Sequence, residues 1–285
     1  MIYKIKNKTN SNIYLNDLGI VIDPLASIEI ELPNFDISKS DIGDRLSRGL
    51  IEIDNYKAPE DKFDTKIDTP STFPKITKTN GDVAVVIPSH NYGKYLSETV
   101  YSIQNQTIVP CQIIIVDDSS TDDTYKIVKN LQTYYENLEY HHVDFKNAPE
   151  TRNFGISKCK RTVKYVLMLD ADNRLSDRRA IEKMSGPLSD PRVHIVYCRE
   201  QLMDESGKII GNFDAIKPFD YYRLRRYNFI EAAALMKKEI LLKDPYDKEC
   251  SIMDDWALWL DLSRDKCGFW FIEEPLIDYR LHSNQ

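Results

Sequence analysis

From Val83 onward, short unbroken apolar runs alternate with amphipathic stretches, and this pattern restricts the fold more than any other feature of the chain. The runs are VAVVI (83–87), QIIIVD (112–117) and YVLML (165–169). A strand that is apolar at every position must be buried on both faces, which is the situation of a parallel sheet covered by helices. The intervening segments are helical in period. YGKYLSETVYSIQNQ puts Leu96, Val100 and Ile103 on one face. SSTDDTYKIVKNLQTYYEN opens with Ser120 and Thr121 as capping residues, followed by acidic residues in its first turn. LEYHHVD reads as a weaker strand and PETRNFGISKCK as a helix. The predicted class is α/β, a mixed and mainly parallel sheet flanked by helices. In such sheets ligands bind beyond the carboxyl ends of the strands.

The residues before this region follow another grammar. Ile20 and Ile22, Ile28, Ile30 and Leu32, and Ile51 and Ile53 alternate in the period of strands, so residues 1–56 are expected to form a small β-rich module. DIGDRLSRGL within it could supply a helical turn or two. Residues 57–80 carry three prolines, many charges and little apolar periodicity, and read as a linker. Residues 81–285 then form the larger domain. The N-terminal module could bind a partner, an acceptor polymer or a second subunit, or dock as a flap, and its sequence does not choose.

Composition narrows the function. With 42% apolar and 29% charged residues among 285, the chain can bury an ordinary core. Its 38 basic and 45 acidic side chains leave a net charge of −7, which argues against a protein that coats nucleic acid. An anionic ligand held by a few basic groups and a metal remains open. The five cysteines (Cys111, Cys159, Cys198, Cys250 and Cys267) are widely spaced and match no zinc pattern. They are expected to be buried free thiols in a reducing compartment. The start, MIYKIKNKTNSNIYL, lacks a signal-peptide core, and no apolar run is long enough to span a membrane. A cytoplasmic protein is expected.

The residues just beyond each apolar strand point to chemistry. The first strand runs into Pro88-Ser89-His90-Asn91-Tyr92, the second into Asp117-Asp118-Ser119-Ser120, the third into Asp170-Ala171-Asp172-Asn173. Carboxylates crowded at one sheet edge repel unless a cation or hydrogen-bond donors are shared among them. Mg²⁺ or Mn²⁺ suits this setting, since either takes a few carboxylate oxygens together with substrate phosphates. The plainer alternative makes each aspartate a helix cap or turn former. Arg152, at a helix start, is suited to a diphosphate, or else to an ion pair with Glu150 or Asp144. Met253-Asp254-Asp255-Trp256-Ala257-Leu258-Trp259-Leu260 reads as a helix with an acidic first turn. Its aspartates could simply complement the helix dipole while the tryptophans anchor the core. Alternatively, one partly desolvated carboxylate is a general base beside an aromatic wall.

Taken in order, VVIPSHN (85–91), IIIVDDSSTDDT (113–124), ETRNFGI (150–156), LMLDADN (167–173), DDWALWL (254–260) and PLIDYRLH (275–282) resemble the inverting glycosyltransferases of family 2, which have the GT-A fold. The resemblance covers about residues 83–285. It implies a nucleotide-sugar donor, usually a UDP-sugar, and an acceptor hydroxyl. By position it implies that Pro88 and Asp118 contact the base, with His90 and Asn91 in the same pocket and Asp117 supporting it. It further implies Arg152 near the base or diphosphate, Asp170 facing the ribose, Asp172 on the metal, and His282 near the metal or phosphates. Asp255 matches the residue that deprotonates the acceptor, with Asp254, Trp256 and Asn228 on the acceptor side. A single displacement would invert the anomeric centre.

The chain also departs from the pattern. Asp261 stands where relatives often have arginine, and the QxxRW motif of processive polymerases is missing, so transfer of one or a few sugars is expected. The sequence ends at Gln285, just after the histidine motif, where many relatives continue. PFDYYRLRRYNFIE (218–231) is rich in tyrosine and arginine: it either contacts an acceptor or packs as a mixed surface segment. Two other readings compete. A nucleotidyltransferase would need a basic, glycine-rich loop after the first strand, where PSHNYGKY offers only Lys94. A binding protein on a decayed transferase scaffold would not be expected to keep its acidic clusters.

Overall fold

The computed structural model describes residues 2–7, 13–15, 20–22, 27–31, 51–54, 79–213 and 215–282. The chain divides into two compact units, Met1–Thr77 and Lys78–Gln285. In the first, β1 (Ile2–Asn7) lies between β4 (Ser27–Glu31) and β5 (Ile51–Asp54) in an antiparallel sheet, with Ile5 opposite both Ile28 and Ile53. The strands β2 (Ile13–Leu15) and β3 (Ile20–Ile22) form a separate antiparallel pair. The possible helical turn at 41–50 and residues 57–78 of the expected linker lie outside the described residues. Thr79 and Asn80 open a strand of the second unit.

That unit is built on one nine-stranded sheet. Strand β6 (Thr79–Ser89) sits between β7 (Val109–Asp118) and β9 (Tyr165–Met168), and β8 (Leu138–Val143) lies at the edge, all of them parallel. Beyond β9 come β13 (Ala234–Lys237), antiparallel to it, then β11 (Ile195–Met203), β14 (Phe269–Arg280) and β10 (Arg174–Leu175). The short β12 (Ile209–Asn212) pairs with β11.

The unbroken apolar runs serve two cores, one on each side of this sheet. Val83, Val85, Ile87, Ile113 and Ile115 face α1 (Gly93–Gln104) and α2 (Thr124–Leu131) through Leu96, Val100, Ile103 and Val128. Ala84, Val86, Ile114, Val116, Val166 and Met168 belong to the other core, with Ile156 of α3 (Ala148–Ser157) and Leu258, Trp259 and Leu262 of α7 (Asp254–Arg264). Three short helices, α4 (Ala180–Ser185), α5 (Tyr221–Leu224) and α6 (Lys238–Lys243), complete the described α-helices, and a 3-10 turn, Gly186–Ser189, follows α4. The approach of α3 is close: a Cβ on Gly155 would lie 2.4 Å from Val86 Cγ1. That contact sets the height of the helix start carrying Arg152.

Two sequence expectations change here. Helix α2 begins at Thr124, and Asp122 Oδ1 accepts from the Thr124 amide at 3.0 Å, so the helix start lies beyond Ser120 and Thr121. Those two residues tie strand tips together instead: Ser120 Oγ accepts from the Asn91 amide (2.8 Å), and Asn91 Oδ1 accepts from the Thr121 amide (2.7 Å). All five cysteines are free, but only Cys198 is fully buried.

Candidate active site

Strands β6, β7 and β9 end side by side, with Ser89 opposite Asp117 and Val86 opposite Met168. Their tips and the start of α3 enclose a cavity of about 630 Å³ lined by Pro88, His90, Tyr92, Asp118, Arg152, Asp170 and Asp172, among others. This size is in the usual range for a small-molecule site. Asn91, Asp117, Asn228, Asp254, Asp255, Trp256 and His282 are not part of its wall. Asn91 has φ +60° and joins the first two tips, so its side chain shapes the loop. Asp117 is buried behind the wall, accepting from Tyr140 Oη (2.6 Å) and the Ser120 amide (3.0 Å).

Asp118 is saturated from within the chain. Its Oδ1 accepts from the Phe145 and Lys146 amides, both at 2.8 Å, and its Oδ2 from the Asn147 amide (3.0 Å) and Thr151 Oγ1 (2.9 Å). Burial alone would raise its pKa, but these donors outweigh burial and hold the carboxyl below its usual range. A carboxylate offers about four acceptor positions, so a base could reach this one only by replacing a donor already present. His90 Nδ1 lies 2.5 Å from the Asp118 carbonyl oxygen.

Arg152 joins two parts of the site. Its Nη1 donates to Asp170 Oδ1 at 2.8 Å and its Nε to Asp254 Oδ2 at 2.9 Å. The expected alternative partners, Glu150 and Asp144, are not used. Burial works against the guanidinium charge, but Asp170 and Asp254 more than restore it. Asp254, expected on the acceptor side, is thus the second carboxylate of Arg152. Removing either anion would leave the buried guanidinium with a single counter-ion, and removing both would strand its charge.

The Asp170–Asn173 turn is held from two directions. Thr99 Oγ1 lies 2.8 Å from both the Ala171 and Asn173 carbonyl oxygens. Arg280, fully buried, donates from Nε to the Asp172 carbonyl (2.8 Å) and from its backbone amide to Asn173 Oδ1 (3.0 Å), and also pairs with Glu98. The Asp172 carboxylate faces His282 Nε2 at 2.9 Å. The imidazole is 2% exposed and packs against Tyr92 and Tyr95, with centroids 5.3 and 5.6 Å away, so it is not a surface-loop histidine. Burial, then the charge of Asp170, pushes the Asp172 pKa up despite His282.

Among the described residues no three His, Cys, Asp or Glu side chains converge as a cation cage. Asp172 and His282 supply two adjacent donors. A carboxylate oxygen with an imidazole nitrogen suits a divalent ion such as Mn²⁺ that completes its shell with phosphate oxygens and water.

The remaining carboxylates gather where α7 begins. Asp255 Oδ2 accepts from Asn228 Nδ2 (2.9 Å) and its Oδ1 from the Trp256 amide (2.7 Å). Burial is the main reason its pKa is raised. Trp256 is half-buried, and its Nε1 donates to the Leu224 carbonyl at 2.7 Å, bracing α5 against α7; Trp259 is the core anchor. Two acids escaped the sequence reading. Glu231 is raised to about 7, chiefly by burial, then by Asp255 and Asp170. Glu200 is fully buried with an unpartnered Oε2, and burial followed by Glu231 raises it well above a normal carboxyl. The signal for Glu231 was a lone charge inside the apolar run FIEAAALM.

The comparisons with known proteins agree with this arrangement. The glycosyl transferase family 2 model matches residues 84–241. An uncharacterized glycosyltransferase of Methanocaldococcus jannaschii is 26% identical over 212 residues, 70% of each chain. The GalNAc(5)-diNAcBac-PP-undecaprenol beta-1,3-glucosyltransferase of Campylobacter jejuni is 24% identical over 208 residues, 70% of this chain and 64% of the relative. Among solved structures, S. aureus TarS 1–349 in complex with UDP-GlcNAc superposes with a TM-score of 0.57 at 14% identity, over 72% of this chain and 60% of that one. GalNAc-T7 with UDP, GalNAc and Mn²⁺ gives 0.59 at 14% identity, over 70% and 44%. The chain therefore spans less than two thirds of several proteins it matches. The sheet, its strand tips and the family match lead to one conclusion: this chain belongs to glycosyl transferase family 2 and has the GT-A fold.

Proposed function

We propose that the protein is a metal-dependent, inverting glycosyltransferase that moves one sugar from a nucleotide-sugar donor, a UDP-sugar, to an acceptor hydroxyl. One observation carries the reading: the strand tips and the start of α3 bring Asp118, Arg152, Asp170 and Asp172 into the wall of one cavity. Three of the similar structures contain UDP or UDP-GlcNAc, and two contain Mn²⁺, one of those with UDP and the other with GDP-Man.

In this reading Pro88 and His90 line the base pocket, and Asp117 and Asp118 keep it in shape by holding the loops around it. Asp170 faces the ribose and is held in place by Arg152. Arg152 also opposes charge growing on the leaving diphosphate. Asp172 and His282 would hold a divalent cation, which when bound offsets that same charge. Asp255, desolvated and oriented by Asn228, accepts the acceptor proton as the hydroxyl attacks the anomeric carbon. Attack from the face opposite the diphosphate inverts the centre in one displacement.

A panel of UDP-, GDP- and dTDP-sugars, each with and without Mn²⁺, tests this by thermal shift and donor turnover. A UDP-sugar should raise the melting temperature only with the cation and should be turned over. Binding without turnover would indicate a nucleotide-sugar-binding protein, and no response to any donor would remove the reading.

A further inference from the structure

Within a chain of net charge −7, three arginines fall in four residues: Arg223, Arg225 and Arg226. Among the described residues none of them pairs with a carboxylate. Arg223 lies over the Phe229 ring and Arg225 over the Tyr221 ring, with centroids 5.6 and 5.9 Å away. Around them Tyr221 and Tyr227 are exposed and Tyr222 is 75% exposed. A second exposed segment lies just before α7, where Ile252 is 80% and Met253 57% exposed. Both segments border Asp255. The Leu224 carbonyl is fastened to Trp256, Asn228 is bonded to Asp255, and Met253 stands two residues before Asp255.

We propose that this arginine, tyrosine and aliphatic rim docks on an anionic lipid bilayer, so that Asp255 meets an acceptor held at the membrane surface. Each element has a place there. Arginines near an anionic leaflet gain attraction to its headgroups. Tyrosines favour the headgroup level, and Ile252 and Met253 can enter the acyl boundary. A soluble anionic glycan would satisfy the arginines but leave the aliphatic tip in water. Among the described residues no helix is long and apolar enough to cross a membrane, so the contact is peripheral. The docking does not depend on the donor assignment; only its placement of an acceptor rests on the proposed role of Asp255.

Sedimentation of the full 285-residue chain with vesicles tests the proposal, comparing phosphatidylcholine alone with phosphatidylcholine and phosphatidylglycerol mixed. Binding should require phosphatidylglycerol and weaken with salt. Each of Arg225→Gln and Arg226→Gln should cost roughly fivefold in vesicle affinity. Ile252→Ser with Met253→Ser should weaken binding to the same vesicles without changing its salt dependence. All these side chains are exposed, so unchanged melting curves confirm folding. Absence of phosphatidylglycerol binding, or binding indifferent to both sets of substitutions, would overturn the proposal. So would self-association abolished by the same substitutions, which would make a second copy the occupant. A soluble polyanion whose binding is lost in the arginine variants, with vesicle binding insensitive to Ile252→Ser and Met253→Ser, would make it a glycan surface. A donor-induced thermal shift that persists without vesicle binding would leave the donor site standing alone.

Discussion

Asp118 and the carboxylates around Asp255, on the two sides of Arg152, are treated in opposite ways. At the β7 tip Asp118 is surrounded by four donors and pushed below its usual range. Near Asp255, Glu231 and Glu200 crowd together and burial pushes all three up. The β7 tip keeps its carboxylate ionised and fixed, whereas burial near Asp255 favours the protonated forms. A transferase needs both, a rigid cradle for an activated donor and a basic group for the acceptor. The boundary is Arg152, with Asp170 on one arm and Asp254 on the other.

Breaking that boundary should have the largest effect. Arg152→Ala leaves two carboxylates without their cation and should cost about 3–5 kcal/mol of stability in urea denaturation, with loss of donor binding. Arg152→Lys should recover part of the stability, since one ammonium cannot reproduce both fork bonds. A stable, donor-binding Arg152→Ala would mean that the two sides are not linked through this residue.

Asp255→Asn should separate the sides. Transfer should fall by roughly 10²–10⁴, the span expected for loss of a general base, while the donor-induced thermal shift persists. A parallel loss of donor binding would move Asp255 to the donor side.

Glu231→Gln should sharpen the contrast through pH. Its folded pKa, near 7, lies above that of an unfolded glutamate, so between about 4.5 and 7 the native state binds more protons than the unfolded chain. Stability from this group therefore falls as pH rises through that window, and the penalty is complete above the folded pKa. Burial, then the charges of Asp255 and Asp170, sustain it. The glutamine variant should lose this decline and be the more stable protein at alkaline pH, read from urea midpoints across the range.

The smallest effect is expected at Thr151→Val, which removes one of four donors to Asp118 and should cost about 1 kcal/mol. Asp118 has a lowered folded pKa, so its contribution is present above the unfolded pKa and lost as pH falls through the folded one. The variant should therefore lose that contribution at a higher pH on the acid side than the parent.

The parts of this site that were readable in the sequence are those written in local pattern. Strands buried on both faces need continuous apolar runs, so VAVVI and IIIV gave away the sheet and the residues at its tips. Asp172 and Asp255 follow from their places beside a strand end and in a helix start. Long-range pairings are not local. Arg152 could not reveal that its partners are Asp170 and Asp254, 18 and 102 residues away. Arg280 looked like one residue of a terminal motif, yet it clamps the Asp172 turn. Glu200 is read correctly only once β11 is known to lie between β13 and β14, which buries it. Ser120 and Thr121 have the chemistry of helix caps, and the fold uses Ser120 and the Thr121 amide to join two loops because the helix starts later.

The central claim is that the strand tips hold a nucleotide diphosphate through Asp172 and a divalent cation. Calorimetric titration of UDP into the full chain, with Mn²⁺ and then with excess chelator, addresses it directly, using the parent and Asp172→Ala. The account predicts binding by the parent that requires Mn²⁺ and is lost in the variant. Equal UDP affinity with and without the cation, unchanged by Asp172→Ala, would contradict it.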